Sequence, residues 1–212
     1  MNTQNRPMPR RHPTRAFTMI ELLVVIAIIS VLAGLVVYLL PGITEKKVRG
    51  RVKAELAALE SAIQSYKSRI GFYPPDNPTD SARSPLYYEL TGSVRIQPDP
   101  AVAPVFQDRD TIMLMTNAIG TYFATSGFIN SDADPKDRRE FCPNLKTNTS
   151  YRAIDGTSPG VQLLMVPYKG TNGDFNPWHY NSSNPQHHPE GFDLWAVVVV
   201  GNKTITIGNW KE

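Results

Sequence analysis

Charge disappears from the chain between Leu22 and Leu40, where it reads LLVVIAIISVLAGLVVYLL, nineteen residues without a charged side chain. At about 1.5 Å per residue a helix of that length spans roughly 28 Å, close to the hydrocarbon thickness of a bilayer. A buried helix of a soluble domain seldom stays apolar for so long, and the rest of the chain is too small to wrap one. A secretory signal peptide has a shorter apolar core, of about 7–15 residues, ending in an A-x-A-like site. No such site follows Leu40, and Leu35 stands where a lipid-bearing cysteine would be needed after Leu32-Ala33-Gly34. The pattern predicts a membrane helix.

Beyond a break at Pro41-Gly42 the period changes. Apolar residues recur at Val48, Val52, Leu56, Leu59, Ile63, Tyr66 and Ile70, in steps of 4, 4, 3, 4, 3 and 4. This is the stripe of an amphipathic helix that packs one face on its own domain. Gly71 ends it and Pro74-Pro75 prevents resumption. A short helix is expected at Pro85–Leu90, with Ser84 as N-cap and Gly92 after its end. Residues 93–146 show no clear period, only apolar patches at Ile112–Met115 and Tyr122–Ile129, and read as a variable surface insertion. Strands are expected at Val161–Val166, Trp178–Tyr180, Leu194–Val200 and Thr204–Ile207, the last two joined by a hairpin turn at Gly201-Asn202-Lys203.

Charge alters the picture only at the start of the chain. The 212 residues carry 22 basic and 19 acidic side chains, a formal +3. Residues 1–16 hold Arg6, Arg10, Arg11 and Arg15 and no acid. Without those four, 18 basic residues face 19 acids, a net of −1 for the remainder. A nucleic-acid-binding body therefore has little support, and no nucleic-acid partner is expected. Lysine and arginine near the two ends of the apolar run number four against five, so charge alone does not orient it. The single cysteine, Cys142, excludes a disulfide framework within the chain.

Glu21, at the lip of the apolar run, is the unusual residue. An acid inside a membrane segment costs about 2.5–3.5 kcal/mol, less near an interface, and usually has a partner. A carboxylate near a helix N-terminus is one explanation, but it leaves the preceding residues unexplained. Arg15-Ala16-Phe17-Thr18-Met19-Ile20-Glu21 before a membrane helix resembles the class III signal of type IV pilins and type II secretion pseudopilins. The resemblance implies a basic leader, 1–16, cut between Ala16 and Phe17 by prepilin peptidase, with N-methylation of Phe17. It makes Glu21 the family glutamate, which acts in assembly. Ala16 departs from the glycine usual before the cut, and Pro41 falls about one turn later than the family proline. Tyr66-Lys67 with Gly71-Phe72-Tyr73-Pro74 is similar to the helix exit of the major pseudopilin. Asn176-Pro177-Trp178-His179-Tyr180, Gly191-Phe192-Asp193-Leu194-Trp195 and Ile207-Gly208-Asn209-Trp210 are similar to its C-terminal sheet.

Other chemistry finds little footing. His179, His187 and His188 with Asp174, Glu190 and Asp193 form a His-acid cluster suited to zinc, but Asn181–Pro189 reads as a flexible surface loop. Asp132, Asp134 and Asp137 have an EF-hand flavour, yet Pro135 intrudes and the loop glycine and terminal acid are missing. There is no Gly-x-Ser-x-Gly elbow and no glycine-rich phosphate loop. The major-pseudopilin resemblance implies a calcium site in an acidic loop between the final strands. Gly201-Asn202-Lys203 stands there without an acid, so no catalytic, cofactor-binding or metal residue is assigned. Cys142 reads as an unpaired, partly buried thiol. Lys46, Lys47, Arg49, Arg51 and Lys53 read as a solvated or headgroup-facing stripe, with acids of neighbouring subunits as the sharper alternative.

The expected fold is α+β: a long N-terminal helix, membrane-spanning over 17–42 and amphipathic over 43–71, packed on a small antiparallel sheet within a 72–212 body, as in the pilin fold. The resemblance implies a structural, non-enzymatic pseudopilin in the bacterial inner membrane. It would pass the membrane once, N-terminus cytoplasmic and body periplasmic. Its partners would be further copies, other pseudopilins, prepilin peptidase and the inner-membrane assembly platform. The alternatives are a minor type IV pilin for adhesion or DNA uptake, and a membrane-tethered binding or enzymatic domain.

Overall fold

The computed structural model describes residues 17–97, 99–154 and 160–211. The expected leader, including Ala16, lies outside them. Helix α1 runs Met19–Ile70 without interruption, so the break expected at Pro41-Gly42 does not occur. Proline removes one backbone donor, and a helix with many turns on either side absorbs that loss. The chain nevertheless divides into two compact units, with the boundary between Ile43 and Thr44.

In the first unit, Met19–Val36 is long and apolar enough to cross a membrane and none of it is buried. Its one hydroxyl, Ser30 Oγ, donates to the carbonyl of Ile26 at 2.7 Å, so that hydroxyl is satisfied within the helix.

In the second unit the amphipathic stripe behaves as its spacing predicts. Val48, Val52, Leu56, Leu59, Ile63 and Tyr66 are all buried in one core. Gly71 stops α1 with a φ of 103°, a left-handed conformation suited to glycine, and its N–H donates to the Lys67 carbonyl at 2.8 Å. After a 3-10 turn at Ser81–Arg83, helix α2 spans Leu86–Thr91, one residue later than expected. Pro85 takes the N-cap position instead of Ser84, although Ser84 Oγ still accepts the Leu86 N–H at 3.1 Å, and Gly92 follows with a φ of 73°.

Within residues 93–146, the part up to Asp132 carries regular structure and contributes to the core. Strands β1 (Ser93–Ile96), β2 (Val105–Gln107), β3 (Met113–Met115) and β4 (Ser131–Asp132) form a sheet of order β3-β2-β1-β4. It is antiparallel except between β1 and β4. Helix α3 (Thr116–Phe123) follows β3. Phe106, Leu114, Ile119, Phe123 and Phe128 join the core, and Phe128 stacks on Tyr88 with centroids 4.3 Å apart. Strands β2 and β3 are three residues long and each buries only its middle residue, too little to register as a period.

Glu89 fastens this region to α1. Its side chain is fully buried and accepts the Tyr66 hydroxyl at 2.8 Å and the N–H groups of Ile129 and Asn130 at 2.8 and 2.9 Å. Burial raises its pKa, and the two backbone N–H groups and the Tyr66 phenol draw it partly back.

Two antiparallel sheets complete the body. One pairs β5 (Tyr151–Ala153) with β6 (Gln162–Leu164). The other has the order β7-β8-β9, from His179–Asn181, Asp193–Val200 and Lys203–Gly208. Along β8 and β9 the buried positions alternate, Leu194, Ala196 and Val198, then Ile205 and Ile207. The hairpin turn is tighter than expected: Val200 pairs with Lys203 across Gly201-Asn202, and Gly201 takes a φ of 59°. An apolar N-terminal helix with a body of small, mainly antiparallel sheets is an α+β arrangement consistent with the pilin fold.

Candidate processing and assembly site

The apolar helix begins with a reciprocal cap. Thr18 precedes the first residue of α1 and donates twice to Glu21 Oε2, from its N–H at 2.9 Å and its Oγ1 at 2.7 Å. The Glu21 N–H returns a bond to Thr18 Oγ1 at 3.3 Å. The Thr18 carbonyl accepts the Leu22 N–H at 3.2 Å, starting the helical ladder. This is a capping box, in which two otherwise orphaned donors at a helix start satisfy each other's acceptors. Sequence reasoning missed Thr18, although Thr-x-x-Glu before an apolar run is its signal. Phe17 is 79% exposed and lies immediately before the box. The expected cut at Ala16–Phe17 would place a new amino group three bonds of backbone from Thr18, beside a carboxylate already held at the helix entrance.

The basic stripe after the span is partly neutralised within the chain. Arg49 pairs with Glu45 at 3.2 Å and Arg51 with Glu55 at 3.4 Å, both one turn apart. Such helix-surface pairs one turn apart contribute only about 0.3–0.5 kcal/mol each. Lys46, Lys47 and Lys53 are exposed. Lys203, in the final hairpin, lies 3.9 Å from Glu45, so a lysine–glutamate pair stands where the resemblance implied an acidic loop.

The His-acid cluster converges only in part: the Nδ1 atoms of His187 and His188 lie 3.2 and 3.8 Å from the Asp193 carboxylate, while Asp174 and His179 have other partners. Asp174 pairs with Lys169 at 3.2 Å. His179 stacks on Trp195 with centroids 5.0 Å apart and shares a hydrogen bond with Ser81 Oγ at 3.0 Å; burial lowers its pKa. His187 stacks on Trp210 at 3.7 Å. Asp193 accepts the N–H groups of Gln186, His187 and His188 at 2.6, 3.0 and 3.0 Å. Burial pushes its pKa up, but these donors outweigh burial and leave it lowered. The loop expected to be flexible is therefore tied down, by Asp193 and by Asp76, which accepts the N–H groups of Ser182 and Ser183 at 3.0 Å. Asp132 and Asp134 accept N–H groups from Asp134 and Lys136 in local turns. Among the described residues no group of three or more His, Cys, Asp or Glu is placed to hold a metal ion. Cys142 is half-buried, its thiol pKa raised by burial and by Glu140.

Residues 11–37 match the prokaryotic N-terminal methylation motif. The chain is similar to type II secretion system core protein G of Klebsiella michiganensis, 45% identical over 65 residues, covering 31% of this chain and 46% of that protein. The protein of the same name in Klebsiella pneumoniae is 48% identical over 60 residues, 28% of this chain and 43% of the relative. That of Pectobacterium carotovorum is 38% identical over 90 residues, 42% of this chain and 53% of the relative. The chain thus spans about half the length of the curated relatives it matches. No solved structure matches it significantly. The methylation-motif match over residues 11–37, the apolar helix from Met19 to Val36 and the similarity to core protein G together support a type IV pilin-like pseudopilin.

Proposed function

We propose that the chain is a structural subunit of a type II secretion pseudopilus, assembled after leader removal and acting in protein export. The observation that carries this reading is the coincidence of the methylation motif, residues 11–37, with Phe17, the Thr18–Glu21 cap and an unburied apolar helix. Prepilin peptidase cuts between Ala16 and Phe17 and methylates the new terminus. The subunit waits in the inner membrane as a single-pass protein, N-terminus cytoplasmic and body periplasmic. It then leaves the bilayer through the assembly platform to join further copies and other pseudopilins. Its work is assembly rather than catalysis.

The reading predicts the mature terminus. Protein purified from its native host should have the intact mass of a chain beginning at Phe17 and carrying one methyl group. Sheared surface fractions should contain it as filaments, and its deletion should stop export of secreted proteins. A mature chain that retains Arg15, or that begins after Leu40, would overturn the proposal.

A further inference from the structure

A cavity of 580 Å³ opens between α1 and the loop before β8. Its lining combines aromatic and apolar surface from Tyr73, Phe192 and Pro189 with the acids Glu60 and Glu190 and with His187 and His188, whose Nδ1 atoms face Asp193. Phe192 is buried and meets Tyr73 edge-on at 5.1 Å, which fixes that wall. This combination suits a lysine side chain: the four-carbon stem lies on apolar surface and the ammonium reaches a carboxylate. The chain already uses the rim in this way, because Lys67 Nζ lies 4.0 Å over the Tyr73 ring. Burial raises the pKa of Glu60, and His188 and Asn209 offset part of that rise. A cationic guest would supply the opposite charge that this half-buried carboxyl favours.

We propose that this cavity is an interface between copies of the chain and that it receives Lys47 of a second copy. The inference rests on the assembly reading above. Two copies inserted through one bilayer from the same side have parallel helices, so positions along α1 pass close to a neighbour's α1. Lys47 is exposed, whereas Arg49 and Arg51 are engaged by Glu45 and Glu55 of their own helix. Lys47 precedes Glu60 by thirteen residues, which is about 140° around the helix and roughly 20 Å along it. The donor and the receiving cavity therefore lie on different faces, and a head-to-tail contact between them repeats without closing. Lys46 and Lys53 lie on the same side of α1 as Glu60, within about 40°, so a contact through either would meet the face already occupied by its own partner.

The test uses the full-length chain in its native host, with Cys142→Ser as background. Lys47→Cys combined with Gln64→Cys should give disulfide-linked ladders on mild oxidation of sheared filaments, and neither single cysteine should. Lys47→Glu alone, or Glu60→Lys with Glu190→Lys, should lower filament yield at least tenfold. Combining all three should restore most of it, a recovery that a folding defect would not produce. Thermal unfolding of each variant in detergent checks that the body is intact. Ladders absent from filaments that still form, or charge variants that assemble at the wild-type level, would overturn the cavity proposal and leave the pseudopilin reading standing. A wild-type chain that forms no filaments would overturn both.

Discussion

The Tyr66 hydroxyl, on the buried face of α1, donates at 2.8 Å to the fully buried carboxylate of Glu89, 23 residues further along the chain. The same carboxylate holds the backbone of Ile129 and Asn130, while the Asn130 side chain donates at 2.7 Å to the carbonyls of Glu89 and Arg139. One acid thereby couples α1, α2 and the connection leading into β4.

Glu89→Ala should cost at least about 3 kcal/mol, because three donors lose a buried acceptor. Glu89→Gln keeps one carbonyl oxygen but turns an amide toward those donors, and about 2 kcal/mol is expected. Urea unfolding of the Thr44–Glu212 unit measures both. A midpoint for Glu89→Ala equal to wild type would mean that the three contacts contribute nothing net.

Asp108 should make the body less stable as pH rises. Burial pushes its pKa from an ordinary 3.8 to about 6, despite N–H donation from Ile112 and Asp110 to Oδ1. Its Oδ2 is buried and has no hydrogen-bond partner among the described residues. A raised carboxyl pKa means that the folded state binds the proton more tightly than the unfolded state. The resulting stability is fully present below about pH 4 and is lost as pH rises through about 6. Asp108→Asn should flatten that fall between pH 4 and 7. Melting temperatures across this range decide the point, and an unchanged slope would assign the titration elsewhere.

The capping box separates two roles for Glu21. Glutamine at this position still caps the helix but carries no charge to meet the Phe17 amine. Glu21→Val should insert into the membrane, be cut after Ala16 and fail to enter filaments, because an unpaired amine in an apolar core costs several kcal/mol. If the charge is what assembly needs, Glu21→Gln should fail as well, and Glu21→Asp should be intermediate. Thr18→Ala, which costs about 1 kcal/mol at the helix start, should reduce yield only modestly. Filaments of Glu21→Gln at wild-type yield would show that capping is the operative role.

Chelation should leave the body unchanged. Lys203 faces Glu45 at the final hairpin, and that turn contains no acid. A ligand bound only by the folded state stabilises by mass action. Melting of the Thr44–Glu212 unit should therefore shift by less than about 1 °C between excess calcium and excess chelator, given that roughly 1 kcal/mol moves such a domain by only a few degrees. A larger loss in chelator would reveal a bound cation.

What the sequence determined by itself is whatever repeats or closes within one or two helical turns. The apolar run from Leu22, the stripe from Val48 to Tyr66, the stop at Gly71 and the β8–β9 hairpin are each encoded by neighbouring residues, because helix and strand periods are local. The Thr18–Glu21 box belongs to the same class and was readable at a spacing of three. Tertiary structure decided the rest. Glu89 in Leu86–Thr91 looks like any helix-surface acid until Ile129 and Asn130, about 40 residues away, bring their N–H groups to it. Residues 93–146 read as an insertion because strands that bury a single residue leave no pattern, although Phe106 and Leu114 are as much core as Ile63. Pro41 shows the converse error: a local helix breaker did not break α1, because the loss of one hydrogen bond is small beside the many retained on both sides. Spacing reports which face a residue occupies, but what covers that face depends on segments that only folding brings together.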